Sequence, residues 1–281
     1  MRLTDISYAH AVMRKHGINP QKRYGQNFLT NPHVVDTIAD ICADDDCGIL
    51  EIGPGIGTLT EALCSRYKKV VAIEIDKTLI PVLSETLSAF DNVTVIEGDA
   101  MKLDLFELCR EHFAGMRVCV CANLPYYITS PIIMKLLECG DLFESLTVMI
   151  QKEVADRLCA DAGTADFGAI TLAVAYHANA EKCLNVSPGN FIPPPKVTST
   201  VIKLHILKEP SVSCDDPDKM FDIIKLAFGQ RRKTLQNALS PKYQKSDVEQ
   251  ALISMELSPD VRGERLSLSQ FARLSDILGA R

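Results

Sequence analysis

The sequence predicts an α/β fold, a doubly wound parallel sheet that is followed by a small C-terminal helical domain. Two observations predict it. Short apolar segments alternate with segments of helical length from about residue 48, and only helical patterns follow after about residue 208. The chain has 281 residues, too many for one typical domain and too few for three. Its 47% hydrophobic and 23% charged residues supply a sizeable core and exclude a wholly disordered chain.

The predicted strands are short, nearly all apolar and often β-branched, as strands buried on both faces of a parallel sheet must be. They span residues 49–52, 70–75, 93–97, 117–122 and 146–150. Between the first three strands lie residues 58–67 and 77–89, each long enough for a helix that crosses over the sheet. Repeated strand–helix units of this kind indicate a parallel, doubly wound sheet.

A domain boundary is predicted near residue 208, where the pattern changes. The three prolines at 193–195 cannot donate backbone hydrogen bonds, so they mark a rigid connector or a sheet edge. Apolar and polar residues alternate over residues 198–207, which predicts one more strand. Helical patterns then follow at 220–228, 234–239, 246–255 and 267–278. We therefore predict a larger domain over residues 1–207 and a helical domain over residues 208–281.

Composition also restricts where the protein works. No run of 18 apolar residues predicts a membrane span, and the first 20 residues lack the apolar core of a secretory signal. None of the ten cysteines forms a CxxC pair. We therefore expect reduced, buried thiols in a cytoplasmic protein, with no zinc or other metal site and no membrane partner. No heptad repeat demands more than a monomer.

The net charge of −6 argues weakly against nucleic-acid binding, but the basic residues are concentrated in two segments. Residues 1–33 carry five basic residues and one acid, and residues 225–245 carry six basic residues and no acid. Because salt screens distant charges, a local basic patch can bind phosphates on an acidic protein.

Signals for a nucleoside cofactor follow three successive strands. Gly53, Gly55 and Gly57 come between the first strand and a helix, where glycine lets a ligand approach the backbone. Glu74 ends the second strand and can accept hydrogen bonds from both ribose hydroxyls. Asp99 ends the third strand and can accept one from an adenine amino group. Together they predict a cofactor site at one edge of the sheet.

The spacing of these glycines favours S-adenosylmethionine over a dinucleotide. A dinucleotide site has the pattern GxGxxG and holds a pyrophosphate, for which the neighbouring carboxylate of Glu51 is unfavourable. S-adenosylmethionine carries a sulfonium cation and no phosphate, so a carboxylate-rich pocket suits it. A nicotinamide-dependent dehydrogenase is the alternative that this spacing disfavours.

The fourth strand ends in Asn123-Leu124-Pro125-Tyr126, at the same edge of the predicted sheet. The side-chain oxygen of Asn123 and the carbonyl of Leu124 can accept both hydrogens of an exocyclic amine and localise its lone pair toward a methyl group. Tyr126 offers a face for stacking on the base, which contributes about 1–3 kcal/mol. Phe191 is a second candidate for contact with the base, and the catalysis would be alignment without a metal. The predicted reaction is methylation of a base amino group.

Taken together, the motifs resemble those of the ribosomal RNA adenine N6-dimethyltransferase family, in its bacterial small-subunit (16S) group. In chain order they are KRYGQNFL at 22–29, EIGPGIG at 51–57, EID at 74–76, GDA at 98–100, NLPY at 123–126, FIPPPKVTS at 191–199 and FGQRRKTL at 228–235. The resemblance covers most of the chain and implies a Rossmann-like S-adenosylmethionine-dependent methyltransferase sheet with an RNA-binding helical domain.

The resemblance also implies roles for individual residues. Contacts to S-adenosylmethionine are implied at Asn27, Leu29, Gly53, Glu74, Asp99 and Asn123. The base would be held by Asn123 and Tyr126, helped by Phe191. For RNA binding we add the basic residues of two motifs, which can contact phosphates: Lys22, Arg23, Arg231, Arg232 and Lys233.

The implied substrate is the 3′-terminal hairpin of small-subunit rRNA in a partly assembled subunit, dimethylated at N6 of two neighbouring adenosines. An adenine in a loop is extruded at little cost. Two alternatives stay open at this point. One is a large-subunit rRNA adenine methyltransferase that confers macrolide resistance, and the other is an assembly factor that keeps the fold without the reaction.

Overall fold

The computed structural model describes residues 2–21, 24–43 and 46–280. The chain forms two compact units. The first contains Met1–Ala155 and Ala180–Ile206, and the second contains Asp156–Asn179 and Leu207–Arg281. Within the described residues, no helix combines the length and the apolar character that crossing a membrane requires.

The helices and strands follow one another as an α/β chain. The strands are β1 (Phe28–Leu29), β2 (Gly48–Ile52), β3 (Lys69–Glu74), β4 (Val93–Glu97), β5 (Val118–Asn123), β6 (Ser145–Gln151), β7 (Ala178–Val186), β8 (Phe191–Ile192) and β9 (Ser199–Ile206). The helices are α1 (Ile6–Lys15), α2 (Pro32–Cys42), α3 (Thr58–Cys64), α4 (Ile80–Thr86), α5 (Leu105–Phe113), α6 (Thr129–Glu138), α7 (Lys152–Leu158), α8 (Ala169–His177), α9 (Pro217–Gly229), α10 (Leu235–Leu239), α11 (Lys245–Ser254) and α12 (Leu268–Gly279).

The main sheet has the strand order β4-β3-β2-β5-β6-β9-β7 over the described part of the chain. The strands β2 to β6 are parallel, and β9 is antiparallel to β6. From β2 the chain therefore adds β3 and β4 toward one edge of the sheet. It then returns to the other side of β2, where it adds β5 and β6 toward the opposite edge. A crevice for ligands is expected at this reversal, outside the carboxyl ends of β2 and β5. The predicted α/β class is confirmed.

The first unit is held together by a core beneath the central strands. Every residue of β2 is buried, and Ile49 and Leu50 are fully enclosed, which explains why the strand is apolar except for Glu51. Helix α2 packs Val35 and Ile38 into this core. It begins where the side chain of Asn31 accepts the backbone N–H of His33 at 3.0 Å.

The second unit is helical and has its own core around Phe271, Met220 and Leu252. Tyr176 and Phe221 pack edge to face with ring centroids 5.2 Å apart, a favourable aromatic geometry. The four helices predicted after residue 208 are confirmed as α9 to α12, with small shifts of their ends.

The predicted domain bounds are wrong for residues 156–179. The sequence analysis placed this segment in the larger domain, but it belongs to the second unit. Leu172 and Tyr176 of α8 pack into the helical core with Phe167. Helix α8 is apolar almost all round, so its periodicity gives no sign of which core it joins. The functions assigned to the two domains stay predictions.

Candidate active site

A cavity lies at the carboxyl ends of β2, β3 and β5, and residues 24–29 form one of its walls. It encloses about 690 Å³, part of which is open to solvent. Its lining brings together six residues that the sequence predicted for cofactor binding: Asn27, Leu29, Gly53, Gly55, Glu74 and Asn123. Their contact with a cofactor stays a prediction, but their convergence on one cavity is a property of the fold.

The glycine loop after β2 adopts a backbone that requires glycine. Gly53 and Gly55 have φ angles of +72° and +62°, in the left-handed region. A Cβ at Gly55 would come within 3.0 Å of the ring of Phe28. A Cβ at Gly53 would meet no atom within 4 Å, because this residue borders the cavity. The loop therefore leaves its backbone open to a ligand at Gly53.

Glu74 joins the end of β3 to the glycine loop. One of its carboxylate oxygens accepts the backbone N–H of Gly55 at 3.2 Å, and the other accepts that of Asp76 at 2.8 Å. The side chain is buried, which raises its pKa, while these N–H donors lower it. Glu74 is thus held in one orientation at the cavity wall.

Glu51 is a second buried carboxyl group at the cavity, and it is incompletely satisfied. It is 1% exposed. Its Oε2 atom and the hydroxyl of Thr58, which also lines the cavity, have no hydrogen-bond partner among the residues that the structure describes. Burial, together with the nearby Glu74 carboxylate, raises the pKa of Glu51 to about 8. A buried acid without a partner fits a ligand that brings a positive charge or donors into the cavity.

The buried state of Glu51 predicts how stability depends on pH. Folding raises its pKa from 4.5 to about 8, so between these values the folded protein holds a proton that the unfolded chain has lost. The free energy of unfolding therefore falls as pH rises through this window, by about 1.4 kcal/mol per pH unit. We expect Glu51→Gln to flatten this fall, as measured by thermal unfolding of the ligand-free protein between about pH 5 and pH 8. Parallel profiles for both proteins would contradict the assignment.

The segment before β1 is fixed against the cavity by side-chain amides. Gln26 donates from Nε2 to the Asp76 carboxylate at 2.8 Å, and Gln21 donates to the same oxygen at 3.3 Å. Strand β1 pairs antiparallel with β8, with Leu29 opposite Phe191. Gln26 and Asp76 were not among the predicted site residues. Their only signal was their place within two of the motifs.

Ile75 and Tyr127 also line the cavity and were not among the predicted site residues. Ile75 is 42% exposed and lines the cavity directly after Glu74, so it offers an apolar face to a flat ring. The sequence feature that could have indicated Ile75 is its position between the acids Glu74 and Asp76 at the end of a strand. Tyr127 is 59% exposed and lines the cavity on another side.

Asn123 ends β5 and is oriented by the wall opposite. Its Nδ2 donates to the backbone carbonyl of Asn27 at 3.0 Å. With the amide nitrogen engaged in this way, Oδ1 is the atom left to accept a hydrogen bond from a ligand. The backbone N–H of Leu124 donates to the carbonyl of Met149 at 3.1 Å, which fixes the turn that follows. The site thus presents an acceptor beside the carboxylate-lined cavity.

The other predicted site residues lie outside the cavity lining. Tyr126 is half-buried with its hydroxyl 2.9 Å from Ser199, and the side chain of Leu124 is buried. Phe191 is 3% exposed and packs in the core with Leu29. Asp99 accepts the backbone N–H of Met101 at 2.9 Å. Their contacts with base or cofactor stay predictions.

Comparison with known proteins identifies the family. A family model described as ribosomal RNA adenine dimethylase matches residues 17–279. The chain belongs to this family. The ribosomal RNA small subunit methyltransferase A of Alkaliphilus oremlandii (strain OhILAs) is 47% identical over 285 residues, which cover 100% of this chain and 99% of the relative. That of Bacillus pumilus (strain SAFR-032) is 44% identical over 274 residues, 95% of this chain and 94% of the relative.

Solved structures show the same fold for the dimethylase chain. A dimethyladenosine transferase from Plasmodium falciparum superposes with a TM-score of 0.74 at 28% identity, covering 88% of this chain and 95% of that one. The 23S rRNA methyltransferase ErmE superposes with a TM-score of 0.70 at 27% identity, and the match covers 90% of this chain and 100% of the ErmE chain. The family and the enzyme class predicted from the motifs, an rRNA adenine dimethyltransferase, are confirmed.

The basic residues predicted to bind RNA are only partly within the described chain. Lys22 and Arg23 lie outside the described residues. The stretch Arg231–Lys233 is exposed in the turn between α9 and α10. Arg231 lies 3.4 Å from the Glu264 carboxylate and donates to the carbonyl of Ala165 at 3.1 Å. The guanidinium of Arg231 is therefore partly neutralised by Glu264 within the second unit.

Potential metal ligands among the described residues of this dimethylase are the His, Cys, Asp and Glu side chains. Within 2–21, 24–43 and 46–280, no three His, Cys, Asp or Glu side chains are arranged to hold a metal ion. The cavity instead offers carboxylates, a hydroxyl and backbone groups. These groups can bind a cationic nucleoside and orient an amine.

Proposed function

We propose that this dimethylase transfers methyl groups from S-adenosylmethionine to N6 of two adjacent adenosines in the 3′-terminal hairpin loop of small-subunit rRNA. It would act as a monomer on a partly assembled subunit in the cytoplasm. One observation carries the proposal: the oriented amide of Asn123 stands at the wall of a cavity that also contains Glu51 and Glu74. An acceptor for an amine and a pocket for a cationic donor are therefore adjacent.

The choice of S-adenosylmethionine is supported by the charges in the cavity. Its ribose hydroxyls suit the fixed carboxylate of Glu74, and its cationic part suits the unpaired oxygen of Glu51. The open backbone at Gly53 leaves room for close approach. The negative charge of an ionised carboxyl group in this cavity would repel the pyrophosphate of a nicotinamide dinucleotide. When bound, S-adenosylmethionine supplies an electrophilic methyl group.

The protein's own residues then hold the target amine. Oδ1 of Asn123 and the carbonyl of Leu124 would accept its two hydrogens, which directs the lone pair out of the base and toward the donor. Tyr126 would support the base by stacking. These contacts align the extruded adenine with the methyl donor, so positioning is an important part of the rate enhancement.

The small subunit is favoured over the large one by the relatives. Curated relatives at 43–47% identity over nearly the whole chain carry the name ribosomal RNA small subunit methyltransferase A. The large-subunit enzyme ErmE is 27% identical. A non-catalytic assembly factor is disfavoured because Glu74 and Asn123 are both present at the cavity.

The test offers labelled S-adenosylmethionine to the protein with undermethylated small and large subunits side by side. The RNA is then digested and the modified nucleosides are identified. We expect dimethyladenosine from the small subunit, formed far more slowly in a parallel reaction with Asn123→Ala. Label only in the large subunit would overturn the substrate assignment. Absence of label in both would overturn the proposed reaction.

We further propose that Arg232 and Lys233 contact RNA phosphates, together with Arg231, Lys22 and Arg23. Among the described residues, neither Arg232 nor Lys233 has an ion-pair partner, and both are exposed. Replacing both by alanine should weaken RNA binding and reduce the slope of log K against log salt by roughly 1.4 to 1.8 units. Binding isotherms at several salt concentrations measure the slope.

Lys242 provides the matched control for this prediction. It lies in the same acid-free segment, but the Asp222 carboxylate stands 2.7 Å from its amine and neutralises it. We expect Lys242→Ala to leave the slope within about 0.3 units. An unchanged slope in the double variant would remove Arg232 and Lys233 from the interface.

A further inference from the structure

The hydroxyl groups of Tyr126 and Ser199 form a hydrogen bond of 2.9 Å. Tyr126 belongs to the turn that carries Asn123, whereas Ser199 is the last residue of the motif at 191–199. Ser199 is 1% exposed and Tyr126 is half-buried. Nothing in the proposed reaction has so far used Ser199.

Ser199 stands on a rigid support. It begins β9, and its partner in the antiparallel register is Gln151 at the end of β6. Because β9 runs opposite to the parallel strands, its first residue lies at the edge where those strands end. The carbonyl of Thr198 just before it accepts the N–H of Lys152 at 3.0 Å. Ser199 is therefore fixed by the sheet itself.

Tyr126, in contrast, stands on a connecting turn. The turn is held at its backbone, where the carbonyl of Pro125 accepts the hydroxyl of Thr129 at 3.1 Å. This contact leaves the torsions of the Tyr126 side chain free. The hydroxyl at the far end of the ring is held only by Ser199 among the described residues. One hydrogen bond at that end fixes the direction of the ring.

We propose that Ser199 is a positioning residue, which holds the ring of Tyr126 in the orientation that receives the target adenine. The inference rests on the proposed function, because it assumes that Tyr126 stacks on the base. A ring that is already oriented loses less freedom when the base arrives, and it keeps the amine in line with the Asn123 acceptor. Ser199 therefore acts through Tyr126 and touches neither donor nor base.

The test is a double-mutant cycle with Tyr126→Phe, Ser199→Ala and the double variant. Each single variant removes the same bond from one end, and Tyr126→Phe keeps the ring. We expect each to lower kcat/KM on undermethylated small subunits by about three- to tenfold, and the double variant to be no worse than either single one. Affinity for S-adenosylhomocysteine should stay unchanged in all three. Additive losses, or full activity of either single variant, would overturn the proposal.

Thr200→Val is the matched control for a merely structural effect. Thr200 is the next residue on β9, it is also buried, and its hydroxyl donates to Asn185 at 2.8 Å. This variant should lower the melting temperature without changing kcat/KM. The ring itself supplies a second readout: in protein with isotopically labelled tyrosine, the Tyr126 signals should show averaging over χ1 rotamers in Ser199→Ala and not in Thr200→Val. A single, unchanged χ1 rotamer in Ser199→Ala would also overturn the proposal.

The wild-type reaction separates the two possible failures. If the wild-type protein places no label on adenosine in either subunit, the proposed function fails. If it does methylate the small subunit and the cycle shows no coupling, only the role of Ser199 fails.

Discussion

Replacing Asn123 by alanine is expected to lower kcat by a factor on the order of 10² to 10³, with affinity for S-adenosylhomocysteine changed by less than about threefold. The substitution removes Oδ1, the acceptor left available when Nδ2 donates to the Asn27 carbonyl. This acceptor is most effective in the transition state, when the amine nitrogen develops positive charge and its hydrogens become stronger donors. An interaction that strengthens in the transition state appears in kcat rather than in binding.

The measurement combines steady-state methylation of undermethylated small subunits with calorimetric titration of S-adenosylhomocysteine. Thermal unfolding of the variant controls for loss of the bond to Asn27, which joins the two walls of the cavity. A variant that keeps turnover within about fivefold of wild type would contradict the role assigned to Asn123. Equal losses in turnover and in cofactor affinity would make it a cofactor ligand instead.

The second large effect is expected at Glu74, on binding of the donor. Hydrogen bonds to a charged acceptor contribute about 1.5–3 kcal/mol, so Glu74→Gln should raise the Kd of S-adenosylhomocysteine by roughly 10- to 150-fold. Glu74 also accepts the N–H groups of Gly55 and Asp76 on its two oxygens. Glutamine is chosen over alanine because its one carbonyl oxygen can still accept one of these N–H groups, whereas alanine can accept neither. At saturating S-adenosylmethionine, kcat should change far less.

The pH dependence of donor binding gives this prediction a second measurement. Burial raises the pKa of Glu74, and the ribose hydroxyls bind best to its ionised form. Affinity should therefore increase as pH rises through that pKa, and Glu74→Gln should lose this part of the dependence. Glu97→Gln is the matched control, because Glu97 pairs with Glu74 in the register of β3 and β4 but is exposed beside Lys77. Equal effects of the two variants on Kd would contradict a ribose contact at Glu74.

The parts of the fold that the sequence predicted best are those where one short segment determines its own environment. The central strands are buried on both faces, so unbroken apolar runs such as 118–122 identify them. Strand β7 has exposed and half-buried residues along an edge of the sheet, and no such run marks it. Helix α8 is hard to place for the opposite reason. It is apolar on nearly every side, so its sequence is compatible with the core of the first unit or that of the second.

The same distinction applies to the site. Gly53 and Glu74 were predicted because a glycine turn and an acid at a strand end have local causes. The bonds from Gln26 to Asp76 and from Tyr126 to Ser199 join residues that are 50 and 73 positions apart in the sequence. Such pairings depend on how the strands are ordered in space, and no local pattern encodes them.

The pairing of β1 with β8 has a consequence for how the protein is made. Asn31, just after β1, donates to Asn190, a residue 159 positions later in the chain. Contacts that close so large a loop are costly in entropy and form late in folding. While the ribosome adds about 5–20 residues per second, β2 to β6 can assemble before β8 has been synthesised. We therefore expect the nascent chain to acquire its sheet first and its capacity to retain the methyl donor only after β8 has emerged.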